Sequence, residues 1–189
     1  MAAPRGRTPE RRRVWRPVVA ALLALSAALT GTACGAAQKT PPPEAGETNG
    51  PAPAGLDPPF EMATVDGGRF SSTALAGRPV LLWFWAPWCP TCLRQSRTMR
   101  EVVAANDGKV AVIGVAGLDT VEAMRGFVTM TKLSQMTHLA DVDGLVWKRF
   151  GIVEQSLFVM LDRTGAVVYS GRIDDRELAK EMAALARAP

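Results

Sequence analysis

Two hydrophobic patterns alternate along the chain after about residue 60. Continuous apolar runs at 80–85 and 110–115 are typical of strands that are buried on both faces of a sheet. Each run is followed by a stretch in which apolar residues recur at helical spacing, at 90–105 and 121–130. The order strand, helix, strand, helix predicts parallel strands joined by a right-handed crossover.

Shorter apolar runs near both ends of this region predict antiparallel hairpins. Residues 60–70 contain the turn Asp66-Gly67-Gly68, and residues 156–170 contain the turn Asp162-Arg163-Thr164-Gly165. An amphipathic stretch at 175–186 predicts a closing helix. The predicted fold class is therefore α/β, with a mixed central sheet, helices on both faces and an N-terminal β-hairpin extension.

The first 33 of the 189 residues have the three parts of a secretory signal peptide. They combine an arginine-rich start ending at Arg16, an apolar run Val18–Leu29 and small residues before Cys34. This run suits a signal peptide, because a membrane-spanning helix needs about 20 apolar residues. Residues 18–37 carry no charge, so an uncleaved membrane anchor is an alternative. Both interpretations predict an extracytoplasmic protein.

Cys34 resembles the lipidated cysteine of a bacterial lipoprotein, with Thr32-Ala33 before it and Gly35 after it. Gly31 stands where that signal usually has leucine, so ordinary cleavage at the same place is an alternative. The run Arg11-Arg12-Arg13 also allows a twin-arginine export signal. The prediction is either a lipoprotein anchored to the cell membrane or a secreted protein.

A segment rich in proline, glycine and alanine, residues 34–59, separates the leader from the predicted domain at 60–187. It has almost no large apolar side chains and cannot bury enough surface to offset the entropy of ordering. We therefore predict that it is a tether.

The distribution of charge argues against a nucleic-acid partner. Six arginines and one glutamate precede Cys34, whereas the whole chain has a net charge of +4, so the remaining residues carry a net charge of −1. The basic character belongs to the leader, and the domain has no excess of positive charge with which to bind a polyanion.

The segment with the clearest chemistry is Trp88-Cys89-Pro90-Thr91-Cys92, at the junction of a predicted strand and a predicted helix. Unpaired N–H groups and the helix dipole at such a junction stabilise an anion, here the thiolate of Cys89. Pro90 suits the first helical turn, where its missing N–H would have no partner. Cys92 lies one turn on and can close a disulfide with Cys89. We predict that Cys89 is the nucleophile and that Cys92 resolves the mixed disulfide.

Metal and haem sites are alternative uses of a cysteine pair. A structural zinc site needs about four ligands, and beyond the pair the chain offers only Cys34 and His138. His138 is interpreted instead as a polar residue near the end of a connecting segment. Covalent haem attachment would need histidine after Cys92, where Leu93 stands. A soft metal such as copper on the two thiolates stays open, although we expect neither a cofactor nor a metal.

The run 83–92, Trp-Phe-Trp-Ala-Pro-Trp-Cys-Pro-Thr-Cys, resembles the active-site signature of the secreted TlpA/ResA-type thioredoxins. It resembles in particular the DsbE/DsbF branch of mycobacteria and related actinobacteria. Residues 112–119 and 139–147 extend the resemblance to most of the domain. The resemblance implies a thioredoxin fold and thiol–disulfide exchange outside the cytoplasm, with oxidation of exported proteins as the favoured direction.

One departure from the family concerns the loop opposite the cysteines. Family members normally have a cis-proline immediately before a strand, and this chain has Gln155-Ser156 there. A cis bond before a non-proline residue costs about 2.5–4 kcal/mol, so a trans bond is expected at Ser156. Because that loop normally offers its backbone to the bound peptide, the change bears on substrate docking. It also predicts a hydroxyl near the sulfurs.

Other departures concern charge around the pair. Gln95 stands where many relatives have glutamate, Arg97 replaces a proline, and Trp83 replaces the buried aspartate of many thioredoxins. In relatives that have them, these acids are the usual proton acceptor for the resolving cysteine, and their negative charge raises the thiol pKa. This chain lacks both acids. With Arg94 also nearby, we expect a relatively acidic Cys89 and an oxidising pair.

The sequence therefore predicts an extracytoplasmic thiol:disulfide oxidoreductase that forms disulfides in exported proteins. The expected partners are those cysteine-containing substrates and a membrane redox partner that regenerates the pair. Two alternatives remain open. One is a thiol reductase in cytochrome c maturation, and the other is a catalytically weakened binding module, because Ser156 replaces the cis-proline.

Overall fold

The computed structural model describes residues 55–106 and 108–187. The predicted signal peptide, Cys34 and the predicted tether as far as residue 54 lie outside this part of the chain. Within it, no helix combines the length and the hydropathy that crossing a membrane would require.

The described chain contains seven strands and four α-helices. The strands are β1 (Glu61–Ala63), β2 (Arg69–Ser71), β3 (Val80–Trp85), β4 (Ala111–Ala116), β5 (Thr137–Ala140), β6 (Leu157–Leu161) and β7 (Val167–Gly171). The helices are α1 (Pro90–Ala105), α2 (Val121–Thr131), α3 (Leu145–Arg149) and α4 (Asp175–Arg187), with a short 3₁₀ helix at Ser72–Leu75.

Five strands form the central sheet, in the order β5-β4-β3-β6-β7. The pairs β3–β4 and β4–β5 are parallel, whereas β3–β6 and β6–β7 are antiparallel. The predicted parallel pairing and the predicted second hairpin are therefore confirmed. All six residues of β3 are buried, as its continuous apolar run indicates for a central strand.

The side chains of β3 alternate between two hydrophobic clusters, one on each face of the sheet. Leu81, Trp83 and Trp85 pack with apolar side chains of α1, α2 and α4. Leu82 and Phe84 pack with apolar side chains of α3. Helices therefore cover both faces, as predicted.

The predicted N-terminal hairpin is present as a separate two-stranded antiparallel sheet, β1–β2. The chain after β1 contacts the edge strand β5, where Val65 N–H donates to the carbonyl of His138 at 2.8 Å. Arg125 of α2 donates through Nε to the carbonyl of Val65 at 2.7 Å. The extension thereby covers part of β5, which would otherwise be an open edge of the central sheet.

Residues 55–59, which the sequence assigns to the tether, are held against the domain. Arg149 donates through Nε to the carbonyl of Gly55 at 2.7 Å and through Nη2 to the carbonyl of Pro58 at 2.6 Å. Its guanidinium also lies 5.1 Å from the centre of the Phe60 ring. The acceptors are backbone carbonyls, so the amino-acid composition of this segment could not indicate that it is held.

The sequence pattern does not predict β5 or α3. These elements have four and five residues, too few for a hydrophobic period to develop. The start of α3 depends on Asp141, which is 1% exposed and whose carboxylate accepts from Leu145 N–H at 2.7 Å and Trp147 N–H at 2.8 Å. An aspartate three residues before a glycine and an apolar run is the signal that could have indicated this helix start.

Candidate active site

Cys89 occupies the N-cap position of α1, directly after the turn that follows β3. Its backbone is extended, and its Sγ accepts a hydrogen bond from Cys92 N–H at 3.0 Å. Pro90 lies in the first helical turn. A sulfur at an N-cap meets free N–H groups and the positive end of the helix dipole, both of which favour its ionised form.

The structure brings Cys89 and Cys92 together in a disulfide, with their Cα atoms 5.2 Å apart. That distance is ordinary for a disulfide, and the bond closes a single turn of helix. Cys89 is 3% exposed and Cys92 is fully buried. Of the two sulfurs, only that of Cys89 belongs to a residue with any exposed surface, so an approaching thiol reaches Cys89 first.

The residues next to Cys89 in the chain contact a neighbouring loop and the first turns of α1. Trp88 is 54% exposed, and its Nε1–H donates to the carbonyl of Leu118 at 3.3 Å. Leu118 has a φ of 62°, a conformation that is uncommon for a branched side chain, and it is 53% exposed. Thr91 accepts through Oγ1 from Arg94 Nη2 at 2.9 Å, which keeps a guanidinium at the first turn of α1.

Beneath the pair, the positions where relatives have acids are linked to each other. Trp83 Nε1–H donates to Gln95 Oε1 at 3.0 Å, and Trp83 is fully buried while Gln95 is 6% exposed. Arg97, which also departs from the family pattern, forms a surface ion pair with Glu101 at 3.4 Å. Trp83 packs in the same hydrophobic cluster as Cys92, and Gln95 lies one turn further along α1, so the linked pair beside Cys92 is neutral. Arg97 is paired with Glu101 at the surface.

Comparison with known proteins assigns the chain to a family. The model of the AhpC/TSA family matches residues 56–173. The chain belongs to this family. Among its relatives, the soluble secreted antigen MPT53 of Mycobacterium tuberculosis is 35% identical over 130 residues, which is 67% of this chain and 74% of MPT53. The thiol:disulfide interchange protein DsbE of Escherichia coli K12 is 25% identical over 130 residues, covering 66% of this chain and 69% of DsbE.

Solved structures give the same assignment. The structure of MTB DsbF in its mixed oxidized and reduced forms has a TM-score of 0.65 and 41% identity, covering 71% of this chain and 99% of that one. A secreted Mycobacterium tuberculosis disulfide oxidoreductase homologous to E. coli DsbE has a TM-score of 0.61 and 35% identity, covering 67% and 96%. The fold is thioredoxin-like, and the resemblance to the DsbE/DsbF branch is confirmed.

The position of the family's cis-proline is occupied by Ser156 in the left-handed region, with a φ of 66°. The single cis bond in the described residues is Asp57–Pro58, so the bond before Ser156 is trans, as expected. Ser156 N–H donates to the carbonyl of Phe84 at 2.8 Å. The sequence predicts a hydroxyl near the sulfurs, but the hydrogen-bond partner of this hydroxyl is Arg172 Nη1 at 3.0 Å. Gln155, which precedes it, is half-buried.

His138 lies on β5 rather than in a connecting segment. It is 4% exposed, its Nε2–H donates to the carbonyl of Leu133 at 3.0 Å, and its ring meets the edge of Trp85 at 5.4 Å between centres. Burial lowers its pKa to about 4, so the ring is neutral. Across residues 55–106 and 108–187, no three His, Cys, Asp or Glu side chains are grouped to hold a metal ion.

Proposed function

We propose that this protein oxidises thiols of exported proteins, with Cys89 as the residue that exchanges with substrate and Cys92 as its resolving partner. The protein is a thiol:disulfide oxidoreductase of the thioredoxin type. The observation that carries the proposal is the disulfide at the start of α1, in which Cys89 Sγ accepts the N–H of Cys92 at 3.0 Å.

The proposed reaction is a pair of exchanges. A substrate thiolate attacks Cys89 Sγ, the Cys89–Cys92 bond breaks, and Cys92 leaves as a thiolate that takes up a proton. A second substrate thiolate then attacks the substrate sulfur of the mixed disulfide and releases Cys89 as a thiolate. The substrate loses two electrons, which reduce the Cys89–Cys92 bond, and two protons, of which one protonates Cys92 and the other goes to solvent while Cys89 stays a thiolate. If the second substrate thiolate does not react, the Cys92 thiolate attacks Cys89 Sγ, re-forms the Cys89–Cys92 bond and releases the substrate as a thiolate.

The charge balance around the sulfurs supports the oxidising direction. The N-cap geometry stabilises the Cys89 thiolate, which is a product of the second exchange. The hydrogen-bonded pair of Trp83 and Gln95 puts no negative charge beneath Cys92. Arg94 adds a positive charge one turn along the helix. A stabilised thiolate makes the dithiol form more favourable, and the disulfide is then a stronger oxidant.

The partners and the location are part of the same proposal. MPT53 is named as a secreted antigen, which supports export of this chain by its leader. DsbE and ResA, a further relative in Bacillus cereus, are named for thiol–disulfide chemistry. We expect exported cysteine-containing proteins as substrates and a membrane redox partner that reoxidises the pair. Attachment through a lipid on Cys34 and plain secretion are the two forms of localisation proposed.

The reduction potential of the pair is the first test. Equilibration of the purified protein with glutathione buffers, followed by tryptophan fluorescence, should give a potential near the value of about −120 mV that is typical of a strong oxidant. The oxidised protein should also form disulfides in a reduced, unfolded test protein. A potential near the thioredoxin value of about −270 mV would contradict the oxidising direction and favour the reductase in cytochrome c maturation.

Two matched serine variants test the roles of the cysteines. Cys92→Ser should accumulate mixed disulfides through Cys89 when it meets an oxidised substrate, whereas Cys89→Ser should accumulate none. Mixed disulfides in neither variant, with no exchange by the wild-type protein, would favour the catalytically weakened binding module.

A further inference from the structure

The loop before β6 is held by a guanidinium from the end of β7. Arg172 donates through Nη1 to Ser156 Oγ at 3.0 Å, and its Nη2 pairs with Glu154 Oε1 at 2.8 Å. The planar fork of an arginine can contact two acceptors in fixed directions, which a lysine cannot do. One side chain thus fixes two of the three residues of the loop 154–156.

The backbone of this loop has a conformation that needs support. Ser156 has a φ of 66°, which a residue with a Cβ adopts rarely, and it is 3% exposed. Its N–H donates to Phe84 at the end of β3, and a proline could not make that bond. The loop therefore depends on a hydrogen-bond network where the relatives have a covalent ring.

The position of the loop connects it to the disulfide. Leu157, the first residue of β6, pairs with Phe84, the fifth residue of β3. The chain after β3 leads within a few residues to Cys89 at the start of α1. The loop and the disulfide therefore lie at the same end of the central sheet.

The backbone of Arg172 is held by a hydrogen bond from β7. Tyr169 of β7 donates its hydroxyl to the carbonyl of Arg172 at 2.7 Å. Arg172 and Glu154 have side-chain exposures of 58% and 52%, whereas Ser156 is buried. Because the ion pair is largely in solvent, we expect the contact with the buried hydroxyl to matter more than the contact with the carboxylate.

We infer that Arg172 is a positioning residue, which holds Ser156 and its loop in the conformation that receives an extended cysteine-containing segment of the substrate. This inference rests on the proposed function, because it assigns to Arg172 a role in substrate docking at the same pair of cysteines. Arg172 acts through Ser156 and takes no part in the transfer of electrons or protons.

Single-turnover reduction of the oxidised protein tests the inference with two reductants. The first is a reduced, unfolded peptide of about ten residues with two cysteines, which has to pass the loop. The second is dithiothreitol, which is too small to depend on it. The variants are Arg172→Met, Ser156→Ala and the double variant, with Arg69→Met as the control. Arg69 forms a comparable ion pair with Glu61 at 3.0 Å on the exposed N-terminal hairpin.

The expected result is a selective loss with the peptide. Arg172→Met and Ser156→Ala should each lower the rate with the peptide roughly fivefold to tenfold, the effect of losing one hydrogen bond of ordinary strength. The double variant should be no slower than either single variant, because both changes remove the same contact. The rate with dithiothreitol should change by less than about twofold, and Arg69→Met should match the wild-type protein with both reductants.

Three results would overturn the inference. Losses that multiply in the double variant would mean that Arg172 does not act through Ser156. Equal losses with peptide and dithiothreitol would mean that Arg172 acts by its charge or on stability. Wild-type rates in Ser156→Ala would exclude the loop contact even if Arg172→Met fails to fold. A wild-type protein that oxidises no peptide would instead contradict the proposed function.

Discussion

Replacement of Gln95 by glutamate changes one atom beneath the disulfide and returns the acid that many relatives have there. Gln95 is 6% exposed, and its Oε1 accepts the indole N–H of Trp83, which is fully buried. A protonated glutamate can keep that hydrogen bond through its carbonyl oxygen. An ionised glutamate keeps it as well, but at the cost of burying a negative charge.

The size and the sign of the effect follow from this burial. A carboxyl so little exposed commonly has its pKa raised by about one to three units, and each unit corresponds to about 1.4 kcal/mol. Donation from Trp83 favours the charged form, so we expect the lower part of that range, about 1.4–3 kcal/mol. Because the folded pKa lies above the unfolded one, the variant should match the wild-type protein below about pH 4. The loss should then grow with pH and be complete above the folded pKa.

Urea unfolding with the disulfide intact, from about pH 4 to pH 8, measures this loss as a difference from the wild-type protein at each pH. Gln135→Glu is a matched control, because it makes the same chemical change at an exposed position. The Gln95→Glu variant should also have a more negative reduction potential, since a negative charge near Cys92 disfavours thiolates. A pH-independent difference, or one equal to that of Gln135→Glu, would refute the argument.

Three other predictions concern stability. Burial lowers the pKa of His138, the chain's one histidine, to about 4. Acidification from about pH 6.5 to pH 4 should therefore lower the free energy of unfolding by about 3 kcal/mol. The His138→Gln variant should lack this contribution to the pH dependence of unfolding. Arg149→Met should cost about 1–2 kcal/mol and speed amide exchange at residues 55–57, and unchanged exchange there would contradict the role given above to the contacts of Arg149. If the Cys89–Cys92 pair is oxidising, the reduced protein should resist urea better than the oxidised one, and the reverse order would oppose that direction.

The elements that can be predicted from the sequence are those whose pattern is set locally. The bounds of β3 and α1 match the prediction because β3 is buried on both faces and Pro90 marks the start of the helix. β5 and α3 could not be predicted in the same way. β5 exists through its pairing with β4, and α3 begins where a buried carboxylate accepts its first N–H groups. Both depend on contacts that the hydrophobic period does not contain.

The same distinction holds for the site. The helix start and the spacing of the cysteines are local, and they suffice to predict the disulfide that the structure contains. The link between Trp83 and Gln95 spans 12 residues, and the link between Ser156 and Arg172 spans 16. Each joins two segments that come together only in the folded domain. Sequence comparison could identify the unusual residues, but it could not give their partners.

These two links compensate in different ways for residues that the family normally has. Where an acid is missing, an indole and an amide satisfy each other, so the space beneath Cys92 is filled without charge. Where a proline is missing, a guanidinium and a backbone N–H hold Ser156 in place. The first change removes an anion that would oppose the thiolates, and the second replaces a rigid ring by contacts that can be broken one at a time. We therefore expect the reduction potential and the docking of substrate to be set by separate groups in this protein, so that each can be altered without the other.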